Sequence, residues 1–450
     1  MRLDEIGSKK FLVMGLGLHG GGLAVSRFLL KHGASLVITD LKSELELASS
    51  IKSLEEFKDK IRYVLGYHSE DDFKEADIVV KNPGVSFKNR YLKLAKRIET
   101  DISLFLMFNK NPIIAVTGTK GKSTLVSLLH QVLVTKYPKA KIGGNIGISP
   151  LSFLDDLDAT SPVVLELSSW QLHDLENLDP IISIITNVYH DHQNYYSNLN
   201  DYVEDKSKIF TNQDSGIFIS QDKAYHDYFH RFKTKAEVVL FSEVMPLNFE
   251  NDILYLRDEK IYLNEELITT LSETRLILLI NKLVAVFVAN YLKLDLNLVS
   301  SIVTGFNGIE HRLEFVREIN GVRYYNDTAS TIPDSTVLSV KSLREEAFIN
   351  LIVGGTDKEL NFLVFGEILN TVKTWILLRG SATLKIIKFL EDNNVDYFVF
   401  SSIEECVCYA RRISVQNDIV LFSPASASFE LFKNEFDRGF RFKKLVNDMI

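Results

Sequence analysis

Ile113-Ile114-Ala115-Val116-Thr117-Gly118-Thr119-Lys120-Gly121-Lys122-Ser123-Thr124 runs from a β-prone apolar segment into a glycine loop and on into the helical pattern Leu125–Val134. Strand, loop and helix in that order aim backbone N–H groups at one point, where a phosphate is held. Gly118 and Gly121 permit the tight wrap, and the N–H groups of the loop, Thr119 and Lys120 included, cradle oxygens. Lys122 offsets the charge of the β- and γ-phosphates, and Ser123 or Thr124 offers a hydroxyl to Mg²⁺. The loop is shorter than the common G-x-x-x-x-G-K-[ST] form, because Val116 stands where the first glycine would be. ATP is the nucleotide it implies.

On either side, short β-rich runs alternate with amphipathic stretches, the pattern of parallel sheets covered by helices. Strands are expected at Phe11–Met14, Leu36–Thr39 and Ile78–Val80, then at Ile113–Val116, Val163–Leu167 and Ile181–Thr186. Later ones are expected at Phe348–Val353, Trp375–Leu378, Tyr397–Phe400 and Ile419–Phe422. These form three clusters of βα units. Seams are expected near residues 104–112, where a helical stretch ends at Asn111-Pro112, and near Gly305–Glu310, which interrupts two helical patterns. Hairpins are expected between Ile253–Leu256 and Lys260–Leu263 and around Asn320-Gly321.

Composition narrows the function. With 46% hydrophobic and 24% charged residues the 450-residue chain is neither disordered nor fibrous, and its length predicts two to four domains. A net charge of −8, from 51 Lys+Arg against 59 Asp+Glu, argues against a nucleic-acid coat, which needs a basic face. Cys406 and Cys408 are spaced for neither a disulfide framework nor a zinc site. Lys9-Lys10 and the apolar stretch after them imitate a signal peptide, but the stretch is glycine-rich and lacks a cleavage site, and no apolar run is long enough to cross a bilayer. A soluble, cytoplasmic monomer is expected.

A second glycine loop lies near the start. Gly15-Leu16-Gly17-Leu18-His19-Gly20 completes a G-x-G-x-x-G after a strand and before the helical stretch Leu23–Leu30, and Asp40 follows twenty residues after Gly20. Alone it fits a dinucleotide fingerprint, so a nicotinamide dehydrogenase is one hypothesis and a turn that binds nothing another. Two phosphate loops in one chain suggest instead a synthetase that couples ATP cleavage to a second nucleotide-bearing substrate.

Further strings fit that reading: Gly143-Gly144-Asn145-Ile146-Gly147, Leu165-Glu166-Leu167-Ser168-Ser169-Trp170-Gln171-Leu172 and Asn187-Val188-Tyr189-His190-Asp191-His192. With the loop Gly118–Thr124, they resemble the ATP-dependent Mur ligases of peptidoglycan synthesis, in the family's order, from about residue 11 to about residue 440. Asn82-Pro83-Gly84-Val85-Ser86 and Ser423-Pro424-Ala425-Ser426-Ala427-Ser428-Phe429 resemble the branch that adds D-glutamate to UDP-N-acetylmuramoyl-L-alanine.

The resemblance implies an α/β chain of three domains: a Rossmann-like N-terminal domain for the UDP substrate (1–106), a central P-loop ATPase-like domain (107–308) and a Rossmann-like C-terminal domain for the amino acid (309–450). It implies an acyl phosphate made from ATP and opened by the amine of D-glutamate. Lys122, Glu166, His192 and Lys206 become the catalytic set, and Ser123, Thr124, Glu166, His192 and Lys206 the ligands of Mg²⁺ or Mn²⁺. Lys206 matches the lysine that CO₂ converts to a carbamate, which turns a cation into an anionic ligand. Asn281, Arg312 and Asp327 join the loop in binding ATP, with Asn281 facing adenine and Asp327 either holding ribose or ordering the Arg312 segment. Leu18, His19, Asp40, Asn82, Asn145 and Ser168 should face the UDP substrate, and Thr331, Lys358, Ser428 and Phe429 the D-glutamate.

The sequence departs from the family pattern at Gln193–Tyr195, Ile277-Leu278, Ala329 and Glu435. A folate polyglutamate synthetase, similar in its central domain, would not be expected to open with the nucleotide-binding domain that residues 1–100 supply. Another amino-acid-adding Mur ligase is a further alternative. A non-enzymatic ATP-binding module leaves Glu166, His192, Lys206 and Lys358 unaccounted for.

Overall fold

A computed structural model of the chain describes residues 1–17, 21–188, 196, 198–242, 250–271, 279–343, 348–357 and 360–449. Its strands form three sheets. The first holds β1 (Phe11–Met14), β2 (Leu36–Asp40), β3 (Ile61–Leu65), β4 (Ile78–Lys81) and β5 (Ile98–Glu99), all parallel, in the order β3-β2-β1-β4-β5. The chain starts mid-sheet and lays strands to both sides, so the C-terminal end of β1 is the switch point at which loops diverge and leave a crevice. All four residues of β1 and of β4 are buried, as strands covered on both faces require.

The second sheet contains β6 (Ile113–Thr117), β7 (Lys141–Gly144), β8 (Val163–Glu166), β9 (Ile182–Ile185), β10 (Ile217–Gln221), β11 (Glu237–Ser242), β12 (Asp252–Arg257), β13 (Lys260–Leu263) and β14 (Glu266–Thr270). Its order is β14-β13-β12-β11-β10-β9-β6-β8-β7, parallel from β7 to β12 and antiparallel through β13 and β14. β6, flanked by β8 and β9, is again the switch point. The register sets both Val116 and Gly144 opposite Glu166, so β6, β7 and β8 end level with one another.

The third sheet, β15 (Glu314–Ile319), β16 (Val322–Asn326), β17 (Ile349–Val353), β18 (Val372–Leu378), β19 (Tyr397–Phe400) and β20 (Ile419–Phe422), runs β15-β16-β20-β17-β18-β19. Only its β15–β16 pair is antiparallel. The chain divides into two compact units: one carries the first two sheets and runs through Gly305, and the other begins at Phe306 and carries the third.

Both expected hairpins are present, β12–β13 and, around Asn320-Gly321, β15–β16, while other edge features escaped the pattern. The helical pattern expected after Gly305–Glu310 is strand β15. Its Glu314, Arg317 and Glu318 imitate the i, i+3, i+4 spacing of a helix face, yet an edge strand paired on one side tolerates them. β3 and β14 are partly exposed, and β7 ends in two glycines, so none carries a continuous apolar run. The helix expected to reach Asn111-Pro112 stops at Phe108, with Asn109 closing it and donating Nδ2–H to the Asn111 carbonyl at 2.8 Å.

Candidate active site

The glycine loop after β6 is shaped by neighbours that leave no room for side chains. Gly118 has φ +138°, and a Cβ there would stand 2.0 Å from Thr186 Oγ1. Gly121 has φ +81° and opens the helix Lys122–Leu133. Beyond β9, Asn187 clamps the loop: Thr119 N–H donates to its carbonyl at 3.0 Å and Lys120 N–H to its Oδ1 at 2.8 Å. Those two N–H groups were expected to cradle phosphate; they are spent on the clamp instead. At the helix start the first N–H groups have no intrahelical acceptor and are suited to an anion. Lys122 Nζ donates to Gly118 O at 2.9 Å and Thr119 O at 3.0 Å. Asn281, expected at adenine, is buried with Oδ1 only 3.3 Å from the place of a Gly121 Cβ, so it packs against the phosphate loop.

At the end of β8, Glu166 is 2% exposed. Its Oε1 accepts from Asn145 Nδ2 at 3.1 Å, while Oε2 is buried without a hydrogen-bond partner among the described residues. Such an oxygen is costly unless something positive meets it. Lys206, on the helix Leu199–Thr211 and 1% exposed, donates Nζ–H to Gly118 O at 3.0 Å and to Thr117 Oγ1 at 3.3 Å, and sits 4.5 Å from the centre of the Tyr202 ring. Ser123 is buried beside the loop. A bare carboxylate oxygen with loop hydroxyls suits a hard divalent cation. His192 lies outside the described residues, and among those described no three His, Cys, Asp or Glu side chains cluster as a metal site.

The first glycine loop faces a cleft of ≈ 320 Å³ between the first two sheets, lined by Leu16, Gly17, Lys42, Asn82, Asn145 and Gln171 among others. Leu18 and His19 lie outside the described residues. Asp40 is nearly buried and accepts from Gly17 N–H at 3.2 Å and Lys42 N–H at 3.0 Å, so it shapes the loop. Asn82 donates to Gly15 O and accepts from Gly84 N–H, both at 3.1 Å. The closest backbone approach falls on Gly22, where a Cβ would stand 2.0 Å from Gly15 O. Ser168 was expected at the UDP substrate, but its hydroxyl donates to Gln171 Oε1 at 2.9 Å, closing the start of its own helix.

In the second unit, Asp327 is buried and accepts from Leu313 N–H at 3.0 Å and Ser423 Oγ–H at 2.7 Å. Burial holds its carboxyl above the usual carboxylate range, against those hydrogen bonds. Of the two tasks expected of it, ordering the segment that carries exposed Arg312 is the one these bonds perform. Thr331 is half-buried, Phe429 is exposed, and Ser428 Oγ is buried without a hydrogen-bond partner among the described residues; Lys358 lies outside them.

Three family models match in chain order: Mur ligase MurD-like, N-terminal domain over residues 9–103; Mur ligase middle domain over 116–292; and Mur ligase, glutamate ligase domain over 311–426. The chain is 66% identical to the UDP-N-acetylmuramoylalanine--D-glutamate ligase of Borreliella afzelii, over 99% of each chain. The chain belongs to the Mur ligase family. It is also 65% identical to the ligase of that name from Borreliella burgdorferi over 100% of both chains. Among solved structures, UDP-N-acetylmuramate-alanine ligase of Thermotoga maritima matches 98% of this chain and 99% of its own, at TM-score 0.55 and 20% identity, a likeness of fold.

Several residues that build this Mur ligase's site act through contacts that only the fold makes. Asn187 and Thr186 hold the phosphate loop through contacts made only once β9 lies beside β6. Arg438 is fully buried and donates to Ser426 O at 3.0 Å, Ala427 O at 3.1 Å and Thr328 Oγ1 at 2.9 Å, which fixes the turn before Ser428. Asp101 and Ser149 line the cleft with Gln171, although these two read as ordinary helix-start and loop residues.

Proposed function

We infer that this Mur ligase joins D-glutamate to the L-alanyl carboxylate of UDP-N-acetylmuramoyl-L-alanine, with ATP converted to ADP and phosphate, in peptidoglycan precursor synthesis. One observation carries the coupling: Asn145 lines the cleft of the first glycine loop and also holds Glu166, whose second oxygen is bare beside the ATP loop. The substrates' identity draws on relatives that bear that name over the full length of this chain.

The chemistry crowds negative charge. The alanyl carboxylate attacks the γ-phosphorus, the bond to the β-phosphate oxygen breaks, and an acyl phosphate forms. The amine of D-glutamate adds to its carbonyl, loses a proton, and phosphate leaves with the bonding pair. A divalent cation, Mg²⁺ or Mn²⁺, supplies positive charge between triphosphate and carboxylate when bound. Glu166 would hold it, with Ser123 or Thr124 and His192. Lys122 screens the phosphates from the helix start, and Arg312 is the further cation assigned to ATP. Lys206 as a carbamate adds an anionic ligand, in exchange for its present bonds to Gly118 O and Thr117 Oγ1. Thr331, Lys358, Ser428 and Phe429 receive D-glutamate, and Asp40 and Asn82 set the loop that meets the UDP group.

Purified protein is expected to release phosphate from ATP only when UDP-N-acetylmuramoyl-L-alanine and D-glutamate are both present. Equal turnover with L-lysine, meso-diaminopimelate or L-alanine in place of D-glutamate would sink the assignment. Glu166→Gln keeps the bond to Asn145 and loses the charge, so kcat should fall by roughly 100-fold or more.

A further inference from the structure

Two buried polar atoms in the cleft remain without a task. Asp101 begins the helix Asp101–Phe108 just after β5 and is 4% exposed; Ser149, after the turn that follows β7, is 7% exposed. Asp101 Oδ1 and Ser149 Oγ close no hydrogen bond of ordinary geometry with a described residue, and both side chains line the cleft. A buried carboxylate oxygen left open in this way costs stability unless a ligand donor meets it. Lys81, the nearby cation, is already paired with Asp174 at 2.7 Å and offsets the Asp101 charge only in part.

The position of the two residues selects the part of the ligand. Asp101 shares the cleft wall with Asn82, which is bonded to the first glycine loop, and Ser149 follows closely on Asn145, which holds Glu166. The glycine loop marks the diphosphate end of the substrate and Glu166 the reacting carboxylate. What lies between them in UDP-N-acetylmuramoyl-L-alanine is the hexose, whose hydroxyls and amide N–H are donors.

We propose that Asp101 and Ser149 form the sugar-reading subsite, with Asp101 Oδ1 accepting a hydrogen bond from a hydroxyl or the amide N–H of the N-acetylmuramoyl ring and Ser149 Oγ completing it. This rests on the reading that the cleft takes the UDP substrate. The test is calorimetric titration, without ATP, of UDP-N-acetylmuramoyl-L-alanine and of UDP alone into wild type, Asp101→Ala, Ser149→Ala and Asp40→Ala. Asp101→Ala should weaken the sugar nucleotide roughly 10–100-fold and Ser149→Ala a few-fold, the ranges for charged and neutral hydrogen bonds, with UDP affinity unchanged in both. Asp40→Ala should weaken both ligands. If Asp40→Ala alone weakens binding, the subsite is wrong and the cleft reading stands. If no variant weakens either ligand, the cleft reading itself fails. If Asp101→Ala weakens UDP and the sugar nucleotide equally, the residue acts through the fold and the proposal is overturned.

Discussion

Asp101→Asn should stabilise the protein, and more so at neutral than at acid pH. Burial pushes the Asp101 carboxyl up from 3.8 to about 6; N–H groups of its own helix, the neighbouring Ser149 hydroxyl and Lys81 only partly oppose this. The folded state therefore holds this proton more tightly than the unfolded chain does. As pH rises from 3.8 to about 6 the unfolded carboxyl ionises first, and wild type loses stability across that window. The linkage relation gives a loss of about 1 kcal/mol by pH 4.5 and about 3 kcal/mol by pH 7.5, and an amide, which does not titrate, has no such loss. A buried amide brings its own unpaired N–H, at about 1–3 kcal/mol, so the net gain at pH 7.5 is about 0–2 kcal/mol, or up to roughly 8 °C in unfolding midpoint.

The two tryptophans allow a clean assay. Trp375 lies in the unit that begins at Phe306 and Trp170 in the other, so in a Trp375→Phe background Trp170 fluorescence reports the unit that contains Asp101. Unfolding of wild type and Asp101→Asn at pH 4.5, 6 and 7.5 should show a gap that widens with pH and levels off above about 7. A constant gap, or a variant less stable at pH 7.5, would refute the reasoning.

Two further outcomes follow from buried lysines. Lys81 and Asp174 form a 2.7 Å pair with side chains 2% and 15% exposed, so Lys81→Ala should cost about 3 kcal/mol by the same fluorescence, while Lys81→Met with Asp174→Leu should recover most of it; a single variant within about 0.5 kcal/mol of wild type would show the pair to be incidental. For Lys206, protein equilibrated with ¹³CO₂ should give a carbamate carbonyl resonance that is absent in Lys206→Ala, and short carboxylic acids should restore turnover to that variant; no signal together with no rescue would rule the carbamate out.

The sequence carried what is local and left out what is assembled. The loop Gly118–Thr124 was legible because strand, glycines, lysine and hydroxyls are consecutive, and positive φ at Gly118 and Gly121 follows from that run. Glu166 was legible only through the string around it; an acid at the end of a strand is otherwise unremarked. That the N–H groups of Thr119 and Lys120 bond to Asn187, more than sixty residues away in sequence, is a contact only the fold makes. Ser168 also closes a local cap with Gln171 three residues on, a bond that the string around it did not announce. Asp101 was missed because Thr100-Asp101 is an ordinary helix start, and only the fold shows that its carboxyl faces a cleft.

Charge explains why the lysines of this site are arranged as they are. The chain carries a net −8 and binds ATP, a sugar nucleotide and an amino diacid, all anions, so cations must be concentrated locally. A lysine paired with a carboxylate, as Lys81 is with Asp174, presents little field to a ligand. Lys122 donates to the Gly118 and Thr119 carbonyls, and Lys206 to Gly118 O and Thr117 Oγ1 beside a tyrosine ring. Both rest on the Gly118 carbonyl, which places two positive charges at one point of the phosphate loop. Carbamylation of Lys206 would remove one of them, and a metal on Glu166 would then have to return more charge than the lysine gave up. Carbamate and metal should therefore bind cooperatively: the ¹³C carbamate signal should strengthen when Mg²⁺ and nucleotide are added and fade when they are removed, and a signal indifferent to metal would break this coupling.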